Sequence, residues 1–297
     1  MRELSSKALN KVITPKMRVF ILGNARRPGV TDQATQLLPM FEKHFEVVVS
    51  DLEQKQDLSK LKADLTIVLG GDGAILRAAR QMGYQQIPVL GINLGRLGFL
   101  ADLNVAELES CIGEVAKGNF RVTRHLMFEC LTSMPEHPGP FLGLNEVSVH
   151  AGQPFHMIEL DLVVDGETVC KYMADGLIFS TPIGSTAHNL SSGGPILSQE
   201  IDAFVISPIC PHVLTSRSLV DSSAKAYSII LHKSTEGTTL VIDGQQRIPL
   251  LEKTKITLRK APVHFLQAKV AGKNFYRTLR EKLSWGVQPN YRPEGKP

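Results

Sequence analysis

At 297 residues and 43% hydrophobic content, the chain has apolar surface enough for a large core and length enough for two domains, which excludes wholesale disorder. Lys and Arg number 33 against 29 Asp and Glu, and the net charge of +4 gathers into no dense basic block, which argues against nucleic acid as a partner. No window has the length and apolarity of a membrane span, and Met1–Ser6 lacks the apolar core of a secretory signal, so a soluble cytoplasmic protein is expected. Cys111, Cys130, Cys170 and Cys210 are scattered, without a Cys-x-x-Cys pair or a His at zinc-ligand spacing, and read as reduced core residues.

In chain order, residues 1–16 carry no sustained periodicity and are expected to fray. Residues 17–22 (MRVFIL) read as a strand, followed by a Gly/Pro loop at 23–29 and a helix from Thr31 to about His44 that contains Pro39. Phe45–Ser50 is the next strand, and Asp64–Leu69 a buried one, since Leu65, Ile67, Val68 and Leu69 leave little polar surface. A helix around Ala74–Met82, a strand at Ile87–Asn93 and a helix at Val105–Lys117 complete the pattern. Strands and helices alternating at this pitch predict a Rossmann-like parallel sheet in an N-terminal α/β domain, residues 17–123.

From Arg121 the texture becomes strand-like: 126–133, 144–150, 157–164, 176–180, 203–206, 226–231, 239–242 and 255–259. Asp165-Gly166 and Asp243-Gly244 read as hairpin turns. A β-rich, sandwich-like C-terminal domain over 124–270 follows, with a closing helix at Ala271–Leu283 and a Pro-rich tail, together residues 271–297.

The stretch around which this organisation turns is Leu69-Gly70-Gly71-Asp72-Gly73-Ala74, where the buried strand ends and a helix begins. Glycines allow close backbone approach, and the N–H groups of a helix start favour an anion. Taken alone, such a turn supports equally a helix cap by Asp72 and a functional acid. It lacks the third glycine of a dinucleotide fingerprint and the Gly-Lys-Ser/Thr of a P-loop. A carboxylate beside a phosphate-friendly turn would repel phosphate unless it served as a base or helped hold a metal ion, a combination that suits phosphoryl transfer to a hydroxyl whose proton Asp72 can accept.

Asn145-Glu146, in an otherwise apolar strand, is either a solvated hairpin edge or a pair that hydrogen-bonds a hydroxyl-rich ligand. The segment from Asp175 to Pro195 brings a strand to Thr181-Pro182 and then presents small and hydroxylated residues, as a nucleotide site needs. His188 offers a flat surface for a base, although taken alone such a ring more often packs or meets water. Ser185 lies in no nucleophile elbow.

Gly70-Gly71-Asp72-Gly73, residues 93–100 (NLGRLGFL), Asn145-Glu146, Asp175-Gly176, residues 181–187 (TPIGSTA), Gly193-Gly194-Pro195, residues 208–212 (PICPH) and Asp243-Gly244-Gln245 occur in the order seen in NAD kinases. From about Met17 to about Arg280 the chain resembles that family. The resemblance implies phosphorylation of the 2′-hydroxyl of the adenosine ribose of NAD, with ATP as donor, a divalent metal such as Mg²⁺, and a homo-oligomer, dimer or tetramer. It makes Asp72 the base, places Gly70, Gly71, Gly73 and Asn93 at the ATP phosphates, and puts Arg77 within reach of phosphate. Phe99, Asn145, Glu146, His156, Asp175, Gln245 and the loop Thr186, Ala187, His188, Asn189, Leu190 and Ser191 would complete the NAD pocket with Asp72, Gly73 and Arg77. No residue is assigned as a metal ligand; Mg²⁺ would be held largely by the phosphates. His188 stands where the family usually has Tyr, and Ile183 where Thr or Ser is common. A lipid kinase shares the Gly-Gly-Asp-Gly turn but would need an apolar channel; a non-catalytic dinucleotide sensor would not need Asp72.

Overall fold

The computed structural model describes residues 15–95, 98–101, 103–153, 157–272 and 274–284. The expectations for residues 1–14, for His156 and for the tail from Trp285 lie outside them.

The N-terminal half is β1 (Arg18–Leu22), α1 (Val30–His44), β2 (Glu46–Asp51), β3 (Leu65–Leu69), α2 (Asp72–Met82), β4 (Val89–Ile92) and α3 (Val105–Ala116). Its strands run parallel in the order β2-β1-β3-β4, with Leu69 level with Ile92, so β3 and β4 end side by side. All five residues of β3 are buried, as an apolar run between two helical layers must be. α3 starts at a capping box in which Asn104 and Glu107 each bond the other's backbone N–H.

The remainder comprises β5 (Arg121–Thr132), β6 (Phe141–Gly143), β7 (Glu146–His150), β8 (Ile158–Val164), β9 (Glu167–Ala174), β10 (Gly176–Ser180), α4 (His188–Ser191) and β11 (Ala203–Ile209). It continues with β12 (Leu219–Ser222), β13 (Tyr227–Lys233), β14 (Thr239–Ile242), β15 (Gln246–Pro249), β16 (Lys255–Lys269) and α5 (Phe275–Leu283). An antiparallel six-stranded sheet, β12-β11-β10-β7-β14-β15, faces the antiparallel part of the other sheet. The two share one apolar core, in which the rings of Phe179 and Phe204 from one sheet meet Tyr227 from the other at 5.1 and 5.9 Å. This is the expected sandwich.

β16 departs most from expectation. The sequence suggests a strand over 255–259; the strand instead runs through Pro262, which has no N–H for a ladder, to Lys269. The register against β5 shifts between Lys260 and His264, so the proline falls in an irregularity. β16 then meets β4 in parallel at Gln267 and Val89. A single ten-stranded sheet therefore passes from the α/β half into the β-rich half. β9, β12 and β15 are additions to the expected strands; their largely exposed, polar sequences give no apolar run to detect. α5 begins at Phe275, not Ala271, because the Asn274 side chain caps it at the Arg277 N–H.

Candidate active site

Asp72 is the first residue of α2, at the carboxyl end of β3. It does not cap its own helix, since Gly71 is the N-cap and supplies no side-chain bond. Its carboxylate turns instead to the neighbouring strand end and accepts the N–H groups of Phe99, Leu100 and Ala101 at 2.9, 3.0 and 3.1 Å. A Cβ on Gly98 would lie 2.0 Å from Asp72 Oδ1, so only glycine allows this approach. Two glycine-rich strand ends are thereby tied together through one acid.

On one flank the groups are cationic. Asn24, Arg27, Gly70–Ala74, Arg77 and Asn93 line a cavity of 380 Å³, and an adjoining one of 580 Å³ shares Asn24 and Arg77 and adds Arg26 and Lys55. The Arg77 Nε is buried without a partner among the described residues. Burial holds its guanidinium below the usual arginine range, followed by repulsion from Arg80, Arg27 and Arg26. Guanidinium groups gathered close enough to repel one another make a site for an anion. Asn93 is buried and shapes the loop, its Oδ1 accepting the Gly95 N–H at 2.7 Å and its Nδ2 bonding the Ala101 carbonyl at 3.4 Å. A larger cavity, 730 Å³, lies at Arg121, Gln199, Lys269 and Asn274; it shares no lining residue with the turn and contains none of its chemistry.

On the other flank stands a polar shelf held up by Asp243. This residue opens the hairpin turn between β14 and β15 at φ 50°, and its buried carboxylate accepts the N–H groups of Leu144, Asn145 and Glu146 at 3.0, 2.7 and 3.2 Å. Burial pushes its carboxyl up to about 6 against the lowering effect of those bonds. Glu146 is pushed up further, to about 8, by burial and then by the charge of Asp243, so it keeps its proton at neutral pH. Glu146 Oε2 and Asn145 Oδ1 are both buried without a partner among the described residues, as expected of groups whose partner is a ligand. Gln245 links the two flanks: its Nε2 donates to the Gly73 carbonyl at 2.8 Å, and its Oε1 accepts from Arg80 at 3.0 Å.

The loop after β10 is strapped to the same shelf. Thr181 Oγ1 donates to the Leu144 carbonyl at 2.6 Å and Ser180 Oγ to the Asn145 carbonyl at 3.2 Å. A Cβ on Gly184 would lie 2.1 Å from the Asn145 carbonyl oxygen. Much of the hydroxyl and amide chemistry expected to face a nucleotide is directed inward. Thr186 Oγ1 donates to the Ile183 carbonyl, and the fully buried Asn189 donates to the carbonyls of Ser185 and Pro195 and accepts from Ser207. Ile183 packs in the core. Ala187, His188 and Leu190 are half-buried, and Ser191 is exposed.

His188 stacks on His150, the rings parallel within 7° and 5.3 Å apart, while His150 Nε2 lies 2.8 Å from Ser148 Oγ. Burial lowers both imidazoles from their usual value, and the charge of His188 lowers His150 further. Asp175 is exposed at the head of β10, whose Gly176 is level with His150. Sequence reasoning passed over His150, although Glu146, Ser148 and His150 alternate with core residues Val147 and Val149 and so share one face of β7. It also missed Lys282 of α5, whose Nζ is 3.8 Å from Asp72 Oδ2 and 4.5 Å from the centre of the Phe99 ring. No local signal in the sequence points to that contact.

Among the described residues no three His, Cys, Asp or Glu side chains converge. The donor set does not fit a protein-held divalent cation, and positive charge at the turn comes from Lys282 and the guanidinium groups. Among the same residues no helix is long and apolar enough to cross a membrane.

Comparison with known proteins agrees with this geometry. Residues 21–120 match the ATP-NAD kinase N-terminal domain and residues 144–270 the ATP-NAD kinase C-terminal domain. The NAD kinase of Rhodopirellula baltica is 45% identical over 269 residues, 90% of this chain and 86% of that one. That of Carboxydothermus hydrogenoformans is 38% identical over 238 residues, 80% of this chain and 84% of that one. A crystal structure of an NAD kinase from Archaeoglobus fulgidus in complex with ATP superposes with a TM-score of 0.72 at 27% identity, over 90% of this chain and 98% of that one. Yeast NADH kinase complexed with NADH shares the fold, with a TM-score of 0.84 at 21% identity over 95% and 91% of the two chains. With the acid-bearing glycine turn, the cationic flank and the Asn-Glu shelf assembled on both matched domains, the chain belongs to the NAD kinase family.

Proposed function

We propose that this NAD kinase transfers the γ-phosphoryl group of ATP to the 2′-hydroxyl of the adenosine ribose of NAD, with Asp72 as the base. The 2′-oxygen forms a bond to phosphorus as the bond from phosphorus to the bridging oxygen breaks. The hydroxyl proton passes to Asp72, and ADP leaves with the electron pair. The observation that carries this reading is the position of Asp72, held by three backbone N–H groups between a cavity lined by Arg27 and Arg77 and the shelf of Asn145 and Glu146, where Arg77 Nε, Asn145 Oδ1 and Glu146 Oε2 find no partner among the described residues. Phosphates would lie along Gly70, Gly71, Gly73, Arg77 and Arg27. The NAD hydroxyls would meet Asn145 and Glu146, with its adenine on the free face of His188 and Phe99 at the edge. Gln245 sets the distance between the two flanks. Positioning and charge neutralisation outweigh base catalysis in such a transfer.

Magnesium accompanies the phosphates in this reading, and the enzyme works in the cytoplasm. A homo-oligomer is supported by the exposed apolar side chains of Val169 and Met173 on β9, the terminal strand of its sheet, and by Leu214, 90% exposed: apolar groups left in solvent favour burial against a second copy of the chain.

The test is NADP formation from ATP, Mg²⁺ and NAD, read with an NADP-specific dehydrogenase. Asp72→Asn is expected to lower kcat roughly 10²- to 10⁴-fold. No NADP from the parent protein would overturn the reaction, and a fully active variant would remove Asp72 as base.

A further inference from the structure

α5, the last described helix, brings a cation to the reaction centre. Leu279, 1% exposed, anchors the helix, and Lys282 follows three residues later on the same face. Arg277 and Glu281, paired at 2.7 Å, brace the outer side. Near the helix C-terminus a cation is favoured by the backbone dipole. Only a third of the Lys282 side chain and 28% of the Asp72 side chain meet solvent, so the pair is partly withdrawn from screening.

The contact geometry distinguishes Lys282 from an ordinary ion-pair partner. At 3.8 Å its Nζ is beyond hydrogen-bond distance from Asp72 Oδ2, whose oxygens already take three backbone N–H groups. The ring of Phe99 supports the ammonium from 4.5 Å. The ammonium is thus fixed beside the base with its donors uncommitted to it.

We propose that Lys282 is a further catalytic residue, donating to the oxygens of the phosphoryl group as it passes from ATP to the ribose oxygen beside Asp72. This rests on the NAD kinase reaction described above. Lys282 loses no proton in the step. It meets the charge on the transferring group while Asp72 takes the hydroxyl proton, and between steps it returns to Asp72 and Phe99. An effect of this kind is larger in the transition state than in the bound substrates, so it acts on kcat.

Lys282→Met keeps the apolar stem and removes the charge; Lys282→Arg keeps the charge. With ATP, Mg²⁺ and NAD, Lys282→Met is expected to lower kcat about 10²- to 10³-fold, as loss of one preorganised donor does. The NAD dissociation constant, measured by calorimetry, should stay within about twofold of the parent, a shift of at most roughly 0.4 kcal/mol. Lys282→Arg should recover about tenfold or more of the lost rate. Parental kcat in Lys282→Met would overturn the proposal. Higher activity in that variant would also overturn it, marking the lysine as an obstruction. Equal losses in both variants with a fall in Tm would assign a structural role instead. An inactive parent enzyme would refute the reaction itself, and is seen before either variant is assayed.

Discussion

The buried carboxyl of Glu146 makes a stability prediction that can be worked through. Burial and the neighbouring Asp243 raise it from 4.5 to about 8. A group whose folded value is raised leaves the folded state fully favoured below about pH 4.5 and costs stability increasingly as pH rises toward its folded value. The full shift is about 8 − 4.5 = 3.5, an upper limit of roughly 5 kcal/mol at 1.36 kcal/mol per unit. Between pH 6 and pH 9 the linkage relation gives a loss of roughly 2–3 kcal/mol for Glu146 and a much smaller one for Asp243, most of whose cost to stability is already incurred by pH 6. Glu146→Gln keeps the shape and removes the ionisation. Urea unfolding at pH 6 and pH 9 should show the parent midpoint falling by about 1 M more than that of the variant. Equal declines in the two proteins, or a parent whose stability rises over this interval, would refute the protonated, buried state of Glu146.

Two further substitutions probe the site. Gly98→Ala puts a methyl 2.0 Å from Asp72 Oδ1 and must push the carboxylate off the Phe99–Ala101 N–H groups. The expected result is a fall in kcat of at least about 10²-fold, with NAD affinity changed far less; kinetics beside calorimetry would check it, and an unperturbed kcat would show that the Asp72 orientation is immaterial. His188→Tyr places a larger ring over His150, which already stacks parallel to this position at 5.3 Å. A gain of roughly 0.5–1.5 kcal/mol from added stacking should tighten NAD binding about 2- to 10-fold, and unchanged or weaker binding in a titration would count against His188 as a base platform.

The Gly70–Gly73 turn was legible because its chemistry is local: an apolar strand, glycines and an acid occur in consecutive residues. Asn145-Glu146 stood out for the same reason, as polar residues in an apolar run. The orientation of Asp72 was not legible, since its three donors lie 27 to 29 positions away and local capping rules favour its own helix. Asp243 could be read as a turn residue from Asp-Gly, but its second task, holding residues 144–146 across about a hundred positions, has no local signature. The exposed loop hydroxyls expected after Thr181 proved largely inward-facing, because short polar side chains satisfy nearby carbonyls as readily as they bind a ligand.

By itself the sequence determined the parallel α/β half, the β-rich sandwich, the acid at the glycine turn and the family to which the chain belongs, because hydrophobic period, turn chemistry and motif order are properties of neighbouring residues. Only the tertiary structure decided that one sheet runs through both halves on β16, that Gln245 clamps α2 to the Asn-Glu shelf, and that α5 brings Lys282 back to Asp72 across 210 positions. Those are contacts between segments distant in the chain, set by how buried faces pack against one another, and packing leaves no period in the sequence to read.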